Sequence, residues 1–360
     1  MKDEPKKIRE GINMFEGKIA RNLLLEPMVS HSYFIEDGDE AILFDPSCGK
    51  KIGRRVESFI RERLNTRSGW KKAVLIAGHS HIDHANNFYL SDVLDTEETC
   101  ICVHECGFQD GKVKNEPYTF VIKIMEDCKE HFNPYLALFF PYNLIVSPFA
   151  ALDKIAPELA VKMFSFTGSL FFPRPVDGKV QPKALKEEDM EQIDIGGIKL
   201  KGWKLSGKII FPTPGHSPCS VTLLWPEKKA LFVSDADWIG NPTFLSGSLR
   251  DSLASLEKLR VLAEAGLADL LLPVHGEVKE GQQDVMRHLD FHIQRLKLIK
   301  SEVLSFYHSS GRENNVSKLT HLLVKKSPLF KLFKYSNYPR QVLFVKSMVA
   351  LCLKEEGLLP

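Results

Sequence analysis

The chain has 360 residues, of which 44% are hydrophobic and 26% charged, and its formal net charge is +2. That composition excludes a disordered or low-complexity chain, and the small net charge gives the whole molecule no electrostatic preference for a partner. The length suits one large α/β domain with an appended piece, or two ordinary domains.

Residues 15–45 read as strands and turns, with two apolar runs flanking a hairpin signal at Asp37-Gly38-Asp39. Ile52, Val56, Phe59, Ile60 and Leu64 fall at helical spacing. The continuous apolar run KKAVLIAG, 71–78, predicts a strand buried on both faces. CICVHEC, 100–106, alternates like a half-buried strand, a better account of its cysteines than a metal knot. Residues 107–190 mix Pro, Phe and Tyr with short helical patterns and are expected to form a mostly helical cap inserted in the domain. β patterning resumes at 193, followed by a helix ending at a glycine and a last buried strand in ADLLLPVHGE. The expected divisions are therefore 1–106 and 191–280 for the two parts of one domain, 107–190 for the cap, and 281–360 for a helical, winged-helix-like C-terminal domain. From residue 285 onward 13 Lys and Arg stand against 5 Asp and Glu, so this end carries +8 and the remainder −6.

Seven cysteines, odd in number and irregularly spaced, suggest no disulfide framework. The charged N-terminus has no apolar h-region, and the most apolar window, 134–151, is broken by Pro141, Asn143 and Pro148. The expectation is a reduced, cytoplasmic protein with no transmembrane segment.

Chemistry concentrates in GHSHIDHANN, 78–87, where His79, His81, Asp83 and His84 fall within six residues at the exit of a predicted strand. Three later strand exits carry matching residue types: His216 in TPGHSP, Asp235 in FVSDAD and His275 in PVHGE. Five histidines and two aspartates converging on one sheet edge would suffice for two divalent ions with an open position.

These elements, with Asp45 in ILFDPS, stand in the order found in the metallo-β-lactamase superfamily, which the sequence resembles over about residues 15–280. The resemblance implies an α/β protein, an αββα sandwich with a dinuclear metal site. His79, His81 and His216 would hold one ion, Asp83, His84 and His275 the other, and Asp235 would bridge them. Zn²⁺ suits such ligands best, and Fe or Mn is tolerated. The implied reaction is hydrolysis by a hydroxide shared between the ions. Asp83 would orient it and relay its proton, and Asp45 would steady the ligand loop from behind. Asn86-Asn87, Cys219 and Ser234 stand where many members have glycine.

The resemblance leaves the substrate open. A flavodiiron reading fails for want of a flavin domain and because His81 occupies a position usually acidic in that group. The missing export signal disfavours a β-lactamase. The leading expectation is a small-molecule thioester, ester or lactone hydrolase of the glyoxalase II kind, whose phenylalanine-rich cap closes over an apolar acyl group. The alternative is an endoribonuclease acting on single-stranded RNA through the basic C-terminal segment, an arrangement similar to the lactamase-β-2-like endoribonucleases. A third reading is a non-catalytic metal-containing ligand-binding protein. An oligomer is compatible with all three.

Overall fold

The computed structural model describes residues 4–19, 28–47, 49–66, 69–81, 83–94, 96–109, 112–113, 178–237, 247–312, 316–331 and 348–359. Two seven-stranded sheets pack face to face. The first contains β1 (Lys6–Arg9), β2 (Ile12–Ile19), β3 (Met28–Asp37), β4 (Glu40–Phe44), β5 (Lys72–Ile76) and β6 (Glu98–His104) side by side. A short hairpin, β7 (Phe108–Gln109) and β8 (Lys112–Val113), stands apart, and β9 (Pro182–Leu185) completes the first sheet beside β6. The second sheet runs in chain order through β10 (Glu191–Ile195), β11 (Ile198–Leu205), β12 (Lys208–Pro212), β13 (Val221–Trp225), β14 (Ala230–Ser234), β15 (Leu270–Pro273) and β16 (Lys279–Glu280).

The alternation of side chains across each strand builds three apolar layers. Between the sheets lie Tyr33, Ile35, Phe44, Val74 and Ile76 from the first, against Ile210, Leu223, Trp225, Phe232 and Leu272 from the second. The outer face of the first sheet takes α1 (Lys50–Thr66) and α2 (Leu90–Leu94), with Ile52, Val56 and Ile60 inward as the helical spacing predicted. The outer face of the second takes α3 (Leu249–Glu264) and α4 (Gln282–Ser309). This is the αββα order that the resemblance implied.

The cap was expected to run from 107 to 190. Its stretch 114–177, including Phe139, Phe140, Phe149, Phe164, Phe166, Phe171 and Phe172, lies outside the described residues. At its far end, Pro182–Leu185 is instead an edge strand, pairing in parallel with β6 from Ile101↔Pro182 to His104↔Leu185. Four residues containing a proline carry no legible period, and the unpaired edge of β6 selects their conformation. The C-terminal segment is helical, as expected, with α5 (Val316–Lys326), α6 (Pro328–Lys331) and helical residues 348–355. Its first helix is joined to the main body. Among its described residues there is no strand, and Val285, Leu289, Leu296, Ile299 and Val303 of α4 join Leu256, Leu259 and Leu262 of α3 in one core with the second sheet. The apolar stripe of α4 was legible in the sequence, but its partner was not. No helix among the described residues is long and apolar enough to cross a membrane.

Lys208 fastens the sheets to each other. Its side chain on β12 is fully buried, and Nζ donates to Asp37 Oδ2 at 2.6 Å and Glu40 Oε2 at 3.0 Å on the β3–β4 hairpin. The indole of Trp225 lies 4.9 Å from the same nitrogen. Removing the cation leaves the buried Glu40 carboxylate to Lys72 alone among the described cations, with Nζ 3.6 Å away. Lys208→Met is expected to lower unfolding stability by about 3 kcal/mol in urea denaturation, the scale of a broken buried ion pair. An unchanged midpoint would refute the assignment.

Candidate metal centre

Strand direction decides where the chemistry-bearing residues meet. β4, β5 and β6 are mutually parallel, so the exits of β4 and β5 lie on one edge of the first sheet. β13 is antiparallel to both β12 and β14, and β14 is parallel to β15, so β12, β14 and β15 also exit together. Asp45 follows β4, the loop His79–His84 follows β5, His216 follows β12, Asp235 follows β14, and His275 lies two residues past β15. All eight sequence-predicted residues meet where these edges face each other.

Ligand-type atoms of three overlapping groups lie within 4.8 Å of one another: His79, His81 and His216; His79, His84 and Asp235; and Asp83, His84 and His275. His216 Nε2 is 3.0 Å from His81 Nδ1, and His275 Nε2 is 3.0 Å from Asp83 Oδ2. Asp235 stands between the groups. Its Oδ2 faces His216 Nε2 at 3.3 Å and His79 Nε2 at 3.8 Å, while its Oδ1 faces His84 Nε2 and His275 Nε2, each at 3.4 Å. His79, His84, His216 and Asp235 are buried, whereas His81, Asp83 and His275 are partly exposed and form the open side.

The donor set fits divalent ions. His79 Nε2 and Asp235 Oδ1 are buried and accept or donate no hydrogen bond among the described residues, an arrangement costly without cations beside them. The opposite ring nitrogens are held from outside. His275 Nδ1 donates to the Val29 carbonyl, which leaves Nε2 as the inward-facing lone pair. His84 Nδ1 lies 3.2 Å from Asp45 Oδ2, and Asp45 Oδ1 accepts the Gly78 N–H at 2.6 Å. Asp45 thus touches a candidate ligand and the candidate ligand loop together.

Ser234 was noted in the sequence only as a departure from glycine. Its hydroxyl lies 3.2 Å from His79 Nδ1 and 3.1 Å from His84 Nδ1, joining imidazoles of both groups. The backbone explains why glycine is usual here, since Ser234 has φ 49° and Asn87 has φ 48°. A Cβ on Gly78 would fall 2.3 Å from Ser234 Oγ, so the first ligand loop can approach β14 only because Gly78 has none. A second pair was also missed. His288 on α4 places Nε2 2.8 Å from Asp237 Oδ2, which ties that helix to the turn after Asp235. The signal was the second aspartate of SDAD, but its partner lies 51 residues away. Cys219 is buried with Sγ 3.2 Å from Ser80 Oγ and joins none of the three groups.

Electrostatics divides the histidines. Burial, reinforced by the neighbouring imidazoles, holds His79 well below the usual histidine range and His216 down to about 3. Burial opposes charge on His275 too, but Asp235 and Asp83 outweigh it and raise the group to about 9. These opposite shifts set two windows for the metal-free protein. The His275 contribution is full below 6.5 and is lost as pH rises toward about 9. The His216 contribution is present above 6.5 and is lost as pH falls toward about 3. Metal-free protein is therefore expected to be most stable near neutrality, with melting temperature falling on both sides. A monotonic profile from pH 4 to 9 would contradict the site electrostatics.

Residues 25–90, which include His79, His81, Asp83 and His84, match the family model of the metallo-beta-lactamase superfamily. No curated protein matches the sequence. Among solved structures, a metallo-beta-lactamase family protein from Thermus thermophilus is 17% identical, with 98% of this chain and 95% of that one covered at a TM-score of 0.52. FIM-1 from Pseudomonas aeruginosa in its mono-zinc form is 13% identical, covering 82% and 97% at 0.46. A metallo-beta-lactamase from Pontibacter korlensis is 13% identical, covering 82% and 98% at 0.45. With its two sheets, outer helices and matched ligand loop, the chain is a protein of the metallo-β-lactamase fold.

Proposed function

We propose that the chain is a dinuclear metal-dependent hydrolase in which His79, His81 and His216 hold one ion, Asp83, His84 and His275 hold the other, and Asp235 bridges them. The single observation behind this reading is the division of the Asp235 carboxylate, one oxygen toward His79 and His216 and the other toward His84 and His275. Imidazole and carboxylate donors favour Zn²⁺ and accept Fe or Mn. Bound ions would polarise the scissile group and acidify water between them. The protein supplies the rest. Ser234, Asp45 and the Val29 carbonyl fix the imidazole orientations. Asp83, partly exposed on the open side and 3.3 Å from His84 Nε2, is placed to orient the attacking water, take its proton and pass it to the leaving group.

The preferred substrate is a small-molecule thioester, ester or lactone. Its support is the phenylalanine-rich composition of residues 134–172, suited to an apolar acyl group. The RNA alternative rested on the basic C-terminal segment. There Arg287, Lys297 and Lys300 face Asp284, Glu257 and Glu356, which leaves less free charge than the composition suggested.

The test is thiol release from a panel of acyl thioesters by zinc-loaded protein, with His81→Ala as blank. Turnover that depends on metal and acyl length supports the reading; silence with two ions bound sinks the thioester class. Asp83→Asn should lose at least a hundredfold in kcat while keeping at least one ion by elemental analysis. Normal turnover would remove Asp83 from the proton path. Ser234→Gly relieves the positive-φ strain, so it should leave the metal-free fold intact yet weaken metal binding by about 10–100-fold in a chelator competition. Unchanged affinity would reduce Ser234 to a spectator.

A further inference from the structure

Cys100 and Cys102 are two apart on β6, so their side chains leave the same face of the strand, toward the second sheet. Their Sγ atoms lie 3.9 Å apart. Cys102 is 8% exposed and packs in the layer between the sheets, while Cys100, at the rim of that layer, is partly exposed. Neither belongs to the three groups that make up the candidate metal centre.

The spacing of the sulfurs decides what the pair can do. Strand rise puts the β-carbons of residues i and i+2 roughly 6.6 Å apart, beyond the span of about 3.5–4.5 Å that a disulfide bridges. β6 is also held extended from both sides, by Val74↔Cys100 and Ile76↔Cys102 on β5 and by Cys102↔Lys183 on β9. A shared cation needs no such closure. With metal–thiolate bonds of about 2.3 Å, sulfurs 3.9 Å apart subtend roughly 116° at one ion, close to trigonal geometry.

The surroundings narrow the choice of ion. Structural zinc takes four donors, and an iron–sulfur cluster takes four cysteines. Among the described residues, no third His, Cys, Asp or Glu forms a group with this pair within 4.8 Å. His104, next on the same face, does not serve. Burial keeps its ring neutral, and its Nδ1 accepts the Cys106 N–H, so Nε2 carries the proton. Of the metals that thiolates select, copper(I) is the one satisfied by two or three soft donors. Charge agrees with that choice. Two thiolates around a monovalent ion leave one negative charge, and Lys72 and Lys183 stand on the two flanking strands, where both favour the thiolate form. A hydrogen bond from the Cys102 thiol, helped by these lysines, brings Cys100 down to about 7 against burial and Glu40. As the donor in that bond, Cys102 is pushed well above the usual thiol range.

We infer that Cys100 and Cys102 form a copper(I) site separate from the histidine–aspartate centre, with both sulfurs bound to one ion. Uptake by the dithiol form releases two protons and transfers no electron. A small free thiol can complete the trigonal set from the exposed side of Cys100. The inference does not rest on the proposed hydrolase reading.

The test is copper(I) uptake by the full chain without oxygen, read by competition with bicinchoninate, with and without excess zinc. The pair predicts one equivalent that survives the chelator and is not displaced by zinc. Cys100→Ser and Cys102→Ser should each weaken it by more than about a hundredfold, beyond the cost of losing an outer hydrogen-bond partner, while Cys106→Ser and His81→Ala leave it unchanged. X-ray absorption at the copper edge should show sulfur neighbours at about 2.3 Å and no imidazole. Thiol alkylation read by mass spectrometry tests the wild-type chain directly, independent of how the serine variants fold. There copper(I) should slow labelling of Cys100 and leave that of Cys106 unchanged. Uptake that yields to the chelator or to zinc, an imidazole in the copper shell, equal affinity in a folded serine variant, or unprotected Cys100 would each overturn the inference.

Discussion

The carboxylate of Asp235 is the point on which the site depends. It is buried at the exit of β14, with four imidazole nitrogens within 3.8 Å of its two oxygens. A buried carboxylate surrounded by imidazoles is tolerable only if positive charge accompanies it. In the metal-free protein that charge is a set of protons, since nearby carboxylates hold His84 well above its usual range and His275 at about 9. Two divalent ions would displace those protons, which couples metal uptake to pH. The sandwich exists in a form that allows this because its two sheets bring five strand exits to one edge.

Much of that edge could be read from the sequence, because the signal is local. His79, His81, Asp83 and His84 fall in one loop, and His216, Asp235 and His275 each follow a short apolar run that reads as a buried strand. α1 was legible from its apolar spacing and the β3–β4 hairpin from its turn residues. What escaped depends on contacts between distant segments. β9 is a strand because β6 offers an unpaired edge. The C-terminal helices are part of the main body because the stripe of α4 meets α3, a partner that no periodicity names. Ser234 looked like a small departure in a loop. Only the approach of Gly78 shows that its hydroxyl reaches two imidazoles.

Positive-φ residues mark the same region. Asp45, Ser47, Asn87 and Ser234 all adopt left-handed backbone around the centre. Such conformations cost energy in residues with a Cβ and persist where surrounding contacts fix them. Here those contacts are identifiable: Asp45 on Gly78 and His84, Asn87 on the Pro46 and Ser47 carbonyls, and Ser234 on both imidazoles. Asn87 also lies against Gly53 and so links the centre to α1.

The most direct measurement is anomalous diffraction at the zinc edge from crystals grown with zinc. The account predicts two peaks, roughly 3.5–4 Å apart as in two-metal sites, with one Asp235 oxygen on each. A single peak in a zinc-saturated crystal, or two peaks that do not share Asp235, would contradict it.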